Sequence, residues 1–92
     1  ADDKHRPSVV LSRQAFNRVN EHSICAMVTT ASRTKWASDI AIDDLGSAGL
    51  PRPCVVRFKL FTFPNATILR PVGALPEQDR VTLLEFACTH FL

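Results

Sequence analysis

Residues 54–63 read Cys-Val-Val-Arg-Phe-Lys-Leu-Phe-Thr-Phe, and they form the longest β-forming run in the chain. Side chains of a strand alternate between the two faces of a sheet. The alternation predicts an apolar face and a basic and aromatic face: Val56, Phe58, Leu60 and Thr62 on the first, and Arg57, Lys59, Phe61 and Phe63 on the second. The basic pair has a spacing that suits successive phosphates of a nucleic acid, whereas the phenylalanines suit base stacking, a core or a dimer interface.

Three shorter β-runs precede this strand, at Ser8–Ser12, Ile24–Thr29 and Asp39–Ile42. The second is apolar on both sides of the alternation, which is typical of a central strand covered on both faces. Ser12 is a candidate N-cap for a short helix over residues 13–19. Residues 43–53 contain two glycines, two prolines and a pair of aspartates, so they predict an irregular connection.

The C-terminal third predicts a hairpin and a helix. Pro64-Asn65-Ala66 forms the predicted turn, and residues 67–70 return as the partner strand. A helix follows from Pro76 to about His90. Its expected apolar stripe is Val81, Leu84, Cys88 and Phe91, widened by Leu83 and Ala87. The order of elements predicts a mainly β fold with helices, a small antiparallel barrel closed by a C-terminal α-helix.

Composition limits the class of protein. The chain has 92 residues, which predicts a single domain over residues 1–92. No run is long enough to cross a membrane, and no basic segment leads into an apolar signal stretch. Cys25, Cys54 and Cys88 are too far apart for a zinc site and odd in number, so buried free thiols in a cytoplasmic protein are expected. The histidines have no metal-ligand spacing, and neither a metal nor a cofactor is expected.

An arginine and a small hydroxyl on one sheet can bind and cleave a phosphodiester. Arg6 precedes the first strand, and the second strand ends on Thr29 and Thr30. A guanidinium holds two phosphate oxygens at once and keeps its charge, while a threonine hydroxyl can donate to a phosphate oxygen. Thr30 competes with Thr29 because adjacent strand residues face opposite ways. His5 is the alternative proton carrier, because imidazole titrates near neutrality.

Several further side chains are candidates for contact with a nucleic acid. Trp36 lies in a basic loop, where it suits base stacking or the docking of a partner protein; the alternative is a ring folded onto the barrel. The candidate nucleic-acid-contacting set is Lys4, His5, Thr30, Arg33, Lys35, Trp36, Arg57 and Lys59.

The ordered motifs resemble the MazF/PemK family of toxin ribonucleases, in its PemK-like branch. Four segments carry the resemblance: the basic Arg-Pro block of residues 4–12, the threonine-ended strand 24–29, the strand 36–42 (Trp-Ala-Ser-Asp-Ile-Ala-Ile) and the block 49–62 (Gly-Leu-Pro-Arg-Pro-Cys-Val-Val-Arg-Phe-Lys-Leu-Phe-Thr). Together they cover most of residues 4–73. The resemblance implies an SH3-like barrel of the CcdB/MazF type, a homodimer, and metal-independent, sequence-specific cleavage of single-stranded RNA. It also implies a cognate antitoxin that occupies the RNA groove, and it places the functional arginine and threonine at Arg6 and Thr29.

The sequence departs from the family at its start. Family members open with a glycine-aspartate-hydrophobic strand before the Arg-Pro block, and this chain has Ala1-Asp2-Asp3 there. The sequence is therefore interpreted as an N-terminally short member. The alternative function is a non-catalytic or degenerate module on the same fold, which binds an antitoxin or a protein target such as gyrase.

Overall fold

The computed structural model describes residues 6–31 and 35–91. Its regular elements, in chain order, are β1 (Ser8–Val10), α1 (Gln14–Asn20), β2 (His22–Thr30), β3 (Ile40–Ala41), α2 (Leu45–Ala48), β4 (Cys54–Pro64), a 3-10 turn (Asn65–Thr67) and α3 (Glu77–His90). Within this described part, no helix is long and apolar enough to cross a membrane.

The four strands form one curled antiparallel sheet in the order β1-β2-β4-β3. The long strands β2 and β4 make its centre, and the short strands β1 and β3 are its edges. The ladder between β2 and β4 shifts register between Ala26 and Met27, where Ala26 pairs with Leu60 and Met27 pairs with Arg57. Phe58 and Lys59 are therefore extra residues on β4, and such a bulge increases the local twist. The sheet is a half-barrel followed by a C-terminal helix, which confirms the predicted fold class.

One face of the sheet carries the hydrophobic core. Paired strand residues point to the same side of a sheet, and this side is lined by Val9, Ala26, Val28, Ile40, Val56 and Phe58. Helix α3 covers it through Leu83 and Phe86. The rings of Phe58 and Phe86 stack with their centroids 4.5 Å apart. The core therefore depends on a contact between the bulged strand and the last helix.

The predicted apolar stripe of α3 is wrong in its main residues, although Leu83 at its predicted edge is buried and Ala87 is partly buried. Val81, Leu84 and Phe91 remain 42%, 59% and 48% exposed, and Cys88 is exposed as well. The buried residues of α3 are Asp79 and Leu83. Apolar residues lie all around this helix, so their spacing does not select one face. The side that packs is chosen by the stacking of Phe86 on Phe58, which periodicity does not reveal.

The predicted return strand at residues 67–70 is also wrong, because the chain turns away after β4. Asn65 makes this turn: its N–H donates to the Glu21 carbonyl at 2.9 Å, and its side-chain amide donates to the Asn17 carbonyl at 2.8 Å. The Ser23 hydroxyl donates to Asn65 Oδ1 at 2.7 Å. These bonds direct the chain toward α1 instead of back along β4, and residues 68–76 have no regular structure.

Three further predictions need correction. Ser12 does not cap α1; Arg13 occupies that position without a side-chain bond, while the Ser12 hydroxyl accepts from the Ile24 N–H at 2.8 Å and contacts the Asn17 side chain. Cys25 and Cys54 are buried free thiols as expected, but Cys88 is exposed. The region expected to be irregular contains the single-turn helix α2, which Asp44 caps by accepting from the Ser47 N–H at 3.0 Å.

Candidate nucleic-acid interface

The sheet face opposite the core brings several predicted residues into one row. Ser8 pairs with Met27, and Met27 pairs with Arg57 on the next strand. Thr29 lies two residues beyond Met27 and pairs with Val55. Because residues two apart share a face, Thr29 and Arg57 lie on the same side. The row runs from β1 across the two central strands to the start of β3.

The edge of this row at β3 is an ion pair between Arg57 and Asp39. Arg57 Nε donates to Asp39 Oδ1 at 3.0 Å, and Arg57 Nη2 donates to Asp39 Oδ2 at 2.8 Å. The two side chains are only 10% and 8% exposed. The hydrogen bond from Arg57 is the main reason that the pKa of Asp39 lies below its usual value. The same bond raises the pKa of Arg57, so each member of the pair favours the charged form of the other.

Trp36 contacts both members of this ion pair. Its backbone N–H donates to Asp39 Oδ2 at 3.0 Å, and its carbonyl accepts from the Asp39 N–H at 3.1 Å. The Arg57 guanidinium carbon lies over the indole ring, 5.3 Å from the ring centroid, which is a cation–π geometry. Trp36 as a whole is still 45% exposed. The prediction that Trp36 belongs to a surface site stays a prediction, now with defined neighbours.

The two candidate threonines face opposite sides. Thr30 pairs with the buried Cys54 and lies on the core side of the sheet, while Thr29 lies on the side of Arg57. Both are partly buried. The geometry brings Thr29, but not Thr30, onto the face of the predicted site.

The basic residues divide into engaged and exposed groups. Arg57 is held by Asp39, whereas Lys59 lies exposed in the bulge and Lys35 lies exposed beside Trp36. Arg6 is exposed just before β1, and within residues 6–31 and 35–91 it has no hydrogen bond or ion pair. The predicted residues Lys4, His5 and Arg33 lie outside the described residues.

A separate groove of about 490 Å³ lies between β1 and α3. Its lining is mainly apolar, with Val9, Leu11 and Leu83 on its walls and the guanidinium-bearing residues Arg13 and Arg80 among its lining. None of the predicted site residues lines it. In the part of the chain that the structure describes, no cluster of three or more histidine, cysteine or acidic side chains is arranged to hold a metal ion.

Sequence analysis missed Asp39 as a member of the site. Its contact with Arg57 joins residues 18 positions apart and exists only because Ile40 pairs with Val56. The one local signal is the spacing of Trp36 and Asp39, which permits a side-chain bond back to the tryptophan N–H across a four-residue turn.

The ion pair makes a testable contribution to acid stability. The pKa of Asp39 is lowered from 3.8 in the folded protein, so its carboxylate stabilises the fold above that pH and loses this effect as the pH falls through the folded pKa. We expect the free energy of unfolding to decline below about pH 4, and Asp39→Asn to reduce that decline while lowering stability at neutral pH. Denaturant unfolding at a series of pH values measures both effects.

A second carboxylate provides the matched control. The pKa of Asp44 is also lowered, mainly by the backbone hydrogen bond from Ser47, so Asp44→Asn should remove a separate part of the decline. An Asp39→Asn protein whose stability falls with acid as steeply as that of the parent would contradict the assignment.

Comparisons with known proteins identify a family and a shared fold. The family model for "PemK-like, MazF-like toxin of type II toxin-antitoxin system" matches residues 1–89. Two solved toxin structures are similar in fold. The crystal structure of an Mtb toxin is 26% identical with a TM-score of 0.76, covering 94% of this chain and 92% of its own. The Mycobacterium tuberculosis toxin MazF-mt6 is 27% identical with a TM-score of 0.77, covering 97% and 88%. No curated protein sequence matches the chain.

Proposed function

Because this chain belongs to the PemK-like, MazF-like toxins of type II toxin–antitoxin systems, we propose that it is a sequence-specific endoribonuclease. Its substrate is single-stranded RNA in the cytoplasm, and its chemistry needs no metal ion. Arg6 and Thr29 are the proposed catalytic residues.

The register of β1 and β2 carries this proposal. The ladder ends where Ser8 pairs with Met27. If the same register is extended by two residues along each strand, Arg6 falls opposite Thr29. Both would then lie on the face that carries Arg57, away from the core. An exposed guanidinium beside a threonine hydroxyl is a site for a phosphodiester.

The reaction uses a nucleophile that RNA itself provides. The 2′-hydroxyl oxygen attacks the adjacent phosphorus, and the bond from phosphorus to the 5′-oxygen of the next nucleotide breaks. The products are a 2′,3′-cyclic phosphate and a free 5′-hydroxyl, so one proton passes overall from the 2′-oxygen to the 5′-oxygen. Arg6 stabilises the negative charge that grows on the phosphoryl oxygens. Thr29 donates a hydrogen bond that orients the same group.

The remaining candidates bind the strand on either side of the cleaved bond. Lys35 and Lys59 contact phosphates, and Trp36 with Arg57 contacts a base. Lys4, His5 and Arg33 are retained in the proposed RNA-binding set on sequence grounds. Thr30 is left out because it lies on the core side of the sheet.

We also propose two protein partners. A cognate antitoxin inhibits the toxin by occupying the RNA groove. A second copy of the chain forms a homodimer, and the exposed apolar side chains Val10, Val81 and Leu84 are available for such contacts.

A pool of single-stranded RNA of mixed sequence, incubated with the protein in excess EDTA, tests the proposed activity. We expect cleavage at a short shared sequence, with cyclic phosphate and 5′-hydroxyl ends. Sequencing of the fragments identifies the cut site. Intact RNA after prolonged incubation, with protein that is folded by circular dichroism, would exclude the enzyme and favour a non-catalytic toxin module.

A further inference from the structure

We infer that the Asp39–Arg57 ion pair positions Trp36 as a stacking platform for one unpaired base of the RNA. The inference rests on the proposed function and deepens it, because it assigns a base-binding subsite and two positioning residues to the same face. Arg57 then acts through the indole ring instead of contacting a phosphate.

Asp39 is the residue that joins the two halves of the platform. Its Oδ2 accepts from Arg57 Nη2 at 2.8 Å and from the Trp36 N–H at 3.0 Å. Its own N–H donates to the Trp36 carbonyl at 3.1 Å, so the turn of residues 36–39 is closed by two hydrogen bonds. One nearly buried carboxylate thus fixes the backbone of Trp36 and the guanidinium that lies over its ring.

Arg57 lies over one side of the indole ring, and the residue keeps a large exposed surface. The guanidinium carbon lies 5.3 Å from the ring centroid, and Trp36 as a whole remains 45% exposed. A planar aromatic group can therefore stack on the outer face, with Arg57 supporting the inner face. The ion pair holds the tryptophan in place before RNA binds. Less conformational entropy is therefore lost on binding, which is the advantage of a preformed binding surface.

The charges around the platform favour a base over a phosphate at this position. Asp39 and Arg57 neutralise one another, so the pair offers little net attraction to an anion. The neighbouring exposed cation is Lys35, which suits a flanking phosphate. A base that stacks on an aromatic ring next to a cation for the backbone is the usual arrangement in proteins that bind single strands.

The sequence makes this inference directly measurable. Trp36 is the single tryptophan and the chain has no tyrosine, so its fluorescence reports this one ring. We propose titrating the protein with 2′-O-methyl RNA oligonucleotides, which lack the nucleophile and cannot be cleaved. Saturable quenching of the emission is expected. An oligonucleotide of the same length with abasic positions keeps its phosphates but should bind without quenching.

Two variants test the positioning role. Asp39→Asn removes the negative charge that orients Arg57. Arg57→Lys keeps the positive charge but loses the bidentate pair of hydrogen bonds to the Asp39 carboxylate. For each variant, the RNA concentration that gives half-maximal quenching is expected to rise about tenfold. The fluorescence anisotropy of the free protein should also fall, because the ring becomes mobile. In cleavage assays each should raise KM with little change in kcat. Arg52→Ala, at an exposed arginine outside the proposed RNA-binding set, should not change the anisotropy.

The outcomes separate this inference from the proposed function. RNA cleavage with an unchanged KM in Trp36→Ala, or equal quenching by abasic and normal oligonucleotides, would overturn the stacking platform and leave the ribonuclease intact. Quenching by 2′-O-methyl RNA without cleavage of normal RNA would support the platform and overturn the proposed activity. Quenching by an antitoxin peptide but not by RNA would assign the ring to the partner protein and overturn the inference.

Discussion

Replacing Arg6 by alanine is expected to lower kcat for RNA cleavage by about 10²–10³-fold while the fold remains intact. A preformed donor aimed at the charge that develops in the transition state lowers the activation barrier by about 3–4 kcal/mol. Arg6 is exposed and, in the described part of the chain, forms no structural hydrogen bond or ion pair. Its removal should therefore affect the transferring phosphoryl group and not the stability of the sheet.

Two matched variants sharpen the experiment. Arg6→Lys keeps a positive charge but loses the planar fork that holds two phosphate oxygens, so it should recover only part of the lost rate. Arg18→Ala removes another exposed arginine, in the last turn of α1, and should cleave RNA at nearly the parent rate. Cleavage kinetics on the identified target sequence, with thermal unfolding in parallel, measure these effects. Arg6→Ala with a kcat within a few-fold of the parent would exclude the catalytic role.

The positions of the main strands could be predicted because each carries its own signal. The apolar run 24–29 and the alternating run 54–63 lie within β2 and β4 of the structure. The placement of Thr29 and Arg57 on one face follows from the period of two together with the pairing of Met27 with Arg57. Period-based reasoning works here because strand geometry fixes where each side chain points.

The parts that could not be predicted depend on contacts between distant segments. Asp39 looks like an ordinary strand-end carboxylate until β3 pairs with β4 and brings it to Arg57. The side of α3 that packs is set by Phe86 meeting Phe58, because the helix has apolar residues on every side. The segment after β4 turns away since the Asn65 side chain bonds to α1. Local helix and strand propensities carry no information about these contacts between distant segments.

Replacing Gly73 by alanine is expected to lower the free energy of unfolding by about 3 kcal/mol, at the upper end of the cost of inserting atoms where there is no room for them. Gly73 is exposed, but its backbone approaches that of α2 too closely to leave space for a methyl group. A Cβ atom at Gly73 would overlap the Ala48 carbonyl carbon and lie 2.6 Å from the Ser47 oxygen. These obstacles are backbone atoms, which cannot rotate away. The Ala74 N–H donates to the Ser47 carbonyl at 2.9 Å, so moving the segments apart would also strain that bond.

Gly46 gives the matched control because it lies in α2, the helix that Gly73 contacts, and has open space around it. A Cβ atom there would lie 3.7 Å from Asp44 Oδ1, an ordinary contact. Gly46→Ala should leave the stability unchanged or raise it by up to about 1 kcal/mol, since alanine favours a helix over glycine. For a domain of this size, the Gly73→Ala protein should melt about 12–24 °C lower. Equal melting temperatures for the two variants would mean that the backbone contact between α2 and residues 72–74 does not hold the segment that leads into α3.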